Sequence, residues 1–222
     1  MQSVLPFKID ITREKLTAHS GLALFSEYNH GIGLHHLVDN YLPKPGSGKG
    51  YDPSIFVNSI VLMLQGGGRY LEDLRELKQE QELMKLLKKP IIPDPDTVGD
   101  WCRRMGMTGS SGLSGLDKVR SIINHRVMRK ELIIEYTLDA DATEVIAEKR
   151  DAKMTYKGNK GYFPMLGFLS ENSLCIYDEF REGNDVPQNR QKEFYLSCCD
   201  RMPKGKRIGF YRADSASYQG AL

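Results

Sequence analysis

Up to about residue 130 the apolar positions recur at helical spacing, and beyond that they alternate. Leu22, Phe25, Leu34, Leu37 and Val38 form a helical pattern broken at Gly31 and Gly33, after a short strand expected near Phe7–Ile11. Asp52 and Pro53 mark a helix start. The run SIFVNSIVLMLQ behind them is apolar on most sides and predicts a helix central to its domain. Gly66, Gly67 and Gly68 end it. Two further helices are read in RYLEDLRELKQ and EQELMKLLKK, closed by Pro90, Pro93 and Pro95. Asp96 and Thr97 then cap TVGDWCRRMG. A last helix, Gly115–Lys130, carries Leu116, Val119, Ile122, Ile123 and Val127 on its apolar face.

From Glu131 onward the texture is that of a sheet. Leu132–Asp141 reads as a strand, followed by strands at Tyr162–Leu169 and Leu174–Glu179 joined by a hairpin turn over Ser170–Ser173. Val186–Asp200 reads as a helix with Phe194, Leu196 and Cys198 toward the core and Gln188, Asn189 and Arg190 outside. Arg207–Arg212 is a strand leading into Asp214, and a helix start is expected from Ser217. The chain is therefore expected to hold an all-helical region, residues 1–130, and a mixed α/β sheet region, residues 131–222.

The candidate chemistry sits on the first strand. Alternation places Leu132, Ile134, Tyr136 and Leu138 on one face, and Glu135, Thr137, Asp139 and Asp141 on the other. Asp139 and Asp141 thus share a face at the strand's carboxyl end, where ligand sites gather in α/β sheets. Asp214 ends a second strand in the same way. Carboxylates held together repel unless a cation relieves them. Mg²⁺ (or Mn²⁺), which prefers oxygen ligands, is the fitting ion. Lys149, Arg150, Lys153, Lys157 and Lys160 follow directly and form either a solvated basic turn or a phosphate-contacting patch. A single strand-end Asp is more commonly a turn or cap residue; two such strand ends beside a basic run point to phosphodiester chemistry.

Other signals narrow the picture by what they lack. The composition, 40% apolar and 27% charged, is ordinary for a globular protein. A net charge of +2 does not of itself announce a nucleic-acid binder. No apolar run is long enough for a membrane span, and the first residues lack a signal-peptide pattern. Cys102, Cys175, Cys198 and Cys199 have no C-x-x-C spacing, so a reducing, cytoplasmic setting is expected. PKPGSGKG contains G-x-G-K but not the full phosphate-loop spacing. His35 and His36 are adjacent, point about 100° apart on a helix, and make no ligand pair. Trp101 beside Arg103 and Arg104 suits a core tryptophan with exposed arginines better than a DNA-docking helix.

LDADAT (residues 138–143), TYKGNKGYFPMLGF (155–168) and RADSASY (212–218) together resemble DDE-type insertion-sequence transposases with an RNase H-like core. In the helical region, LMLQGGGRYLEDLREL and PIIPDPDTVGDW are similar to the same family. The resemblance implies that Asp141, in its Asp-x-Thr context, is the first acidic ligand of a Mg²⁺ site and Asp214 the second, with Asp139 a same-face neighbour. It implies double-stranded DNA partners (inverted-repeat ends and target), and a homodimer assembled around paired ends by residues 1–130. The family's third ligand, a glutamate on a later helix, has no counterpart before the sequence ends eight residues past Asp214. Glu144, Glu148 and Glu179 come too early to replace it. The expectation is an incomplete RNase H-like sheet with an exposed edge, and a truncated transposase inactive alone. The rivals are a catalytically dead DNA-binding remnant and an unrelated metal-dependent nuclease.

Overall fold

The computed structural model describes residues 11, 13–46, 48–88 and 90–214. The strand expected at Phe7–Ile11, save its last residue, and the helix start expected from Ser217 lie outside them. The chain divides into two compact units, Met1–Gly115 and Leu116–Leu222. The division falls earlier than the sequence pattern suggests, within the last long helix.

The first unit is helical. Helix α1 spans Leu22–Gly31 and α2 Leu34–Tyr41, joined through Gly33 in the left-handed region. Helix α3, Pro53–Gln65, starts behind Asp52 with Pro53 in its first turn, where a missing N–H costs nothing. Asp39 reaches from α2 to accept hydrogen bonds from the Ser54 backbone N–H (2.9 Å) and hydroxyl (2.8 Å), satisfying one of the donors at the start of α3. The chain leaves α3 through Gly67 at φ +92°, which only glycine adopts without strain.

The single helix expected over RYLEDLRELKQ is instead a 3₁₀ turn, Leu71–Asp73, followed by α4, Leu74–Gln79. The Asp73 carboxylate accepts the backbone N–H groups of Arg69 (2.6 Å) and Tyr70 (2.9 Å), which holds those residues outside the helix. Helices α5, Gln81–Leu86, and α6, Pro95–Met105, follow. Trp101 is buried and stacks on Phe56 at 4.9 Å, while Arg103 and Arg104 are exposed, as the sequence suggests.

Helix α7, Gly112–Met128, leads into the second unit. There a four-stranded sheet has the order β6-β5-β1-β7, with β1 at Glu135–Ala142, β5 at Met165–Leu169, β6 at Cys175–Glu179 and β7 at Arg207–Ala213. β1 pairs antiparallel with β5 and parallel with β7, and β5 pairs antiparallel with β6. The parallel return from β6 to β7 runs through α8, Gln191–Asp200. A second, three-stranded sheet, β2-β4-β3, is made of Val145–Ile146 (β2), Lys153–Met154 (β3) and Lys160–Tyr162 (β4). The unit is thus α+β.

One face of the main sheet builds the core. Tyr136, Leu138 and Ala140 of β1 pack with Met165, Leu169, Ile176 and Ile208, under Phe194 and Cys198 of α8 and Met128 of α7. The leucine, isoleucine, methionine and phenylalanine side chains among them each contribute about 1.5–3 kcal/mol by leaving water. Polar contacts fix the helices on it. Asn124 donates to the Cys175 carbonyl (2.7 Å), a His125 ring nitrogen meets the Arg201 carbonyl (2.8 Å), and Arg201 pairs with Asp117 (3.1 Å).

The second unit departs from expectation at four points. β1 begins at Glu135, and Leu132, placed on the buried face by alternation, is 98% exposed. The Lys206 ammonium binds the carbonyls of Glu131 (2.8 Å) and Ile133, so this stretch is held by a side chain rather than by a ladder. The long strand Tyr162–Leu169 is two, broken at Phe163-Pro164, because proline cannot donate to a ladder. The helix read from Val186 starts only at Gln191, since the Pro187 carbonyl accepts from the side chains of Arg181 (3.3 Å) and Gln191 (2.6 Å) and Arg190 takes a left-handed conformation. Leu196, assigned to the core, is exposed.

Phe194 is fully buried, and its truncation to alanine is expected to cost about 3–5 kcal/mol in urea unfolding of the second unit. Cys198 reports the same event: burial pushes its thiol up to about 12. It should resist alkylation in the native chain, while Cys102, at the surface, is modified. Mass spectrometry of labelled peptides should show Cys198 reacting only across the unfolding transition, which lies at lower urea in Phe194→Ala.

Candidate active site at the carboxyl ends of two parallel strands

Because Tyr136, Leu138 and Ala140 face the core, the intervening residues of β1 face away from it. The register with β7 then decides which side chains meet. Thr137 lies beside Phe210, Asp139 beside Arg212, and Ala140 beside Ala213. The register shifts between Tyr136 and Thr137, and the extra residue on β7 is Gly209. A Cβ at Gly209 would sit 2.1 Å from the Glu135 Cγ, so the close approach depends on glycine.

Asp141 and Asp214 are each the next residue after the last rung, Ala140–Ala213. Asp141, still within β1, and Asp214, just past the end of β7, thus follow at the carboxyl ends of two neighbouring parallel strands, a pair whose backbones run about 4.8 Å apart. Both residues are exposed. On the other side of β1, Asp141 pairs with Leu166 and Asp139 with Phe168, which gives the acidic end an apolar floor.

Asp139 has a different environment. Arg212 donates to it in a fork, Nε to Oδ1 at 2.5 Å and Nη2 to Oδ2 at 2.6 Å. The Ser170 hydroxyl donates to the same Oδ2, and Arg212 also reaches Ser170 Oγ at 2.8 Å. Hydrogen bonds from Arg212 first, against a smaller cost of burial and aided by Ser170, hold the Asp139 carboxyl below its ordinary range. The sequence reading groups Asp139 with Asp141 as a ligand; the structure gives it a cation of its own. Among the described residues no group of three or more His, Cys, Asp or Glu side chains could hold a metal ion. Two of the glutamates set aside in the sequence are also committed elsewhere. Glu144 accepts from the Thr155 hydroxyl and from Asn159 (3.3 Å), and Glu179 from Arg181 (3.1 Å) and Arg190 (3.0 Å).

The basic run occupies the small sheet. Lys149, Arg150, Lys153, Lys157 and Lys160 are all exposed. Lys153 pairs with Gly161 and Met154 with Lys160, so Lys153 and Lys160 stand on opposite faces of the ribbon. The Lys157 ammonium lies 5.5 Å from the Phe163 ring centre and 5.8 Å from that of Tyr156, within cation–π range. Arg212 and Ser170 are the members of the site that sequence reasoning missed. The available signal was phase: Arg212 precedes Asp214 by two residues, as Asp139 precedes Asp141.

No protein-family model matches this chain, and no curated protein does. Among solved structures, the crystal structure of the mariner Mos1 paired end complex with Mg matches at 14% sequence identity and a TM-score of 0.24, over 95% of this chain and 74% of that one. A likeness that loose assigns neither a fold nor a function. Among the described residues no helix is long and apolar enough to cross a membrane.

The Asp139–Arg212 pair carries a pH signature. A carboxylate whose folded-state pKa is depressed stabilises the fold fully above its unfolded value, about 4, and loses that contribution as pH falls through the folded value. Urea unfolding of the native chain and Asp139→Asn should therefore differ by a small amount, under about 1 kcal/mol, at pH 6, and the difference should shrink as the pH falls through the folded value. A difference that persists unchanged at low pH would show that the substitution acts by something other than this charge.

Proposed function

We propose that this chain provides the first two acidic ligands of a Mg²⁺-dependent phosphodiester-transfer site of the DDE transposase type, acting on double-stranded DNA. The observation that supports the reading is the register of β1 on β7, whose last pair, Ala140 and Ala213, immediately precedes Asp141 and Asp214. The strand order β6-β5-β1-β7, with a single parallel pair, supports an RNase H-like core.

Two exposed carboxylates on neighbouring strands fit the habit of Mg²⁺, which takes one or two protein carboxylates and fills the rest of its shell with water and substrate phosphate oxygens. When bound, such an ion activates an attacking oxygen and stabilises the leaving one. The chain's own contribution is positional. Asp141 and Asp214 fix the oxygens that define the site, and Leu166 and Phe168 back it with apolar surface. Lys149, Arg150, Lys157 and one of Lys153 and Lys160 hold the phosphate backbone. Strand cleavage in this family needs a third carboxylate, which no group of the described residues supplies. The activities assigned to this chain are accordingly metal binding and DNA binding. Recognition of inverted-repeat ends and dimer assembly are assigned to the helical region.

Titration of the full chain with Mn²⁺, followed by electron paramagnetic resonance, should show a site that loses at least about tenfold in affinity in Asp141→Asn and in Asp214→Asn. Equal affinity in all three proteins would sink the metal site. In DNA-binding titrations the slope of log K against log salt should fall by about 0.9 for each basic residue of the run that is replaced and contacts a phosphate. Because Lys153 and Lys160 lie on opposite faces, replacing both should change the slope no more than replacing the effective one. DNA binding with no Mn²⁺ site would favour a DNA-binding protein without catalytic chemistry.

A further inference from the structure

We infer that the Asp139–Arg212–Ser170 bridge is a positioning device that locks the last rung but one before the acidic pair, and that Asp139 is not itself a metal ligand. The inference rests on the metal-site reading of Asp141 and Asp214 and assigns that site a support.

Three observations converge on it. The first is register: Asp139 and Arg212 are direct neighbours on the parallel strands, two residues before Asp141 and Asp214. Their bridge therefore ties the strands at the point from which both acids depart. The second is geometry. The guanidinium meets the carboxylate as a fork, and Ser170, at the end of β5, joins both partners. The bridge thus spans three strands, β5, β1 and β7, rather than linking two loose side chains. The third is exposure. The Arg212 side chain is 69% exposed and that of Asp139 32%, so the bridge adds little to global stability. At a strand end, however, local opening is itself nearly free, and a modest interaction decides whether the rung is formed.

The pairing also has an electrostatic consequence. Arg212 is the cation nearest in sequence to Asp214, and Asp139 holds it in place. Without Asp139 the guanidinium is released beside Asp141 and Asp214, where it would compete with a divalent ion for the same oxygens. Without Arg212 the rung loses its tie, and Asp139 adds an unbalanced negative charge. A ligand role and a positioning role for Asp139 therefore predict opposite responses to loss of Arg212. A ligand freed from Arg212 would bind the ion more tightly, whereas an unlocked rung would bind it more weakly.

The test uses the full chain with Asp139→Asn, Arg212→Gln and the charge swap that combines Asp139→Arg with Arg212→Asp. Two readouts are taken: Mn²⁺ affinity, and amide hydrogen exchange at residues 139–142 and 211–213. The expected result is a several-fold loss of Mn²⁺ affinity and faster exchange in both single variants, with both restored toward the native level in the swap. Arg212→Gln binding Mn²⁺ as well as or better than the native chain would overturn the proposal. So would a swap no better than the single variants. If the native chain shows no Asp141-dependent Mn²⁺ site, the function reading fails by itself, and exchange decides the bridge: unchanged protection in the single variants overturns it, and accelerated exchange restored by the swap upholds the lock.

Discussion

The second unit depends on β1 having two unlike faces. Tyr136, Leu138 and Ala140 are buried under α8 and the end of α7, so no polar residue is tolerated at those positions. The intervening positions are then the only ones on the strand that can carry charge, and they carry Glu135, Asp139 and Asp141. A one-residue slip would bury these acids and expose the tyrosine and leucine together. The apolar face thus fixes the polar one, and the acids are held in place by side chains that never touch them.

The neighbours of β1 convert that face into a site. β5 lies antiparallel on one side and supplies Leu166 and Phe168; β7 lies parallel on the other and ends where β1 ends. Only a parallel neighbour brings two carboxyl termini together, and a parallel neighbour needs a crossover, here α8. The same helix that closes the core therefore also brings Asp214 to Asp141. Charge is then sorted along the rungs. Arg212 balances Asp139, and Asp141 and Asp214 follow two residues further along their strands. Glu144 and Glu179 are each held in hydrogen bonds of their own.

The sequence carries the main chain of this argument but not all of its joints. Alternation from Tyr136 onward was legible because burial on one face leaves a period of two. The hairpin over Ser170–Ser173 and the glycine exit from α3 were legible from local turn chemistry. What failed was decided by side-chain contacts, some of them remote in sequence. Leu132 continues the apolar alternation, yet the Lys206 ammonium, seventy-odd residues away, holds its flanking carbonyls and the ladder never forms there. Val186–Arg190 has helical composition, but its carbonyls and charges are claimed by Arg181, Gln191 and Glu179. In the site, pairing Asp139 with Arg212 requires the register of a parallel ladder, and a bulge at Gly209 shifts that register by one residue. No reading of local pattern supplies such a shift.

The small sheet acquires meaning from where it is tethered. β2, β3 and β4 are the excursion of the chain between the end of β1 and the start of β5, and the Thr143 N–H donating to the Pro164 carbonyl (3.0 Å) closes its base. The base of the excursion is thus the acidic end of the sheet itself. Its lysines and arginine, which in sequence are only a charge run following two aspartates, are in the fold an arm rooted at those aspartates. A basic arm beside acids would collapse onto them if flexible, even with Glu148 and Asp151 among its cations. Here Gly161 is seated between β2 and β3, and a Cβ on it would meet the Val145 carbonyl at 2.2 Å. The cations are thereby carried on a paired ribbon rather than on a free loop.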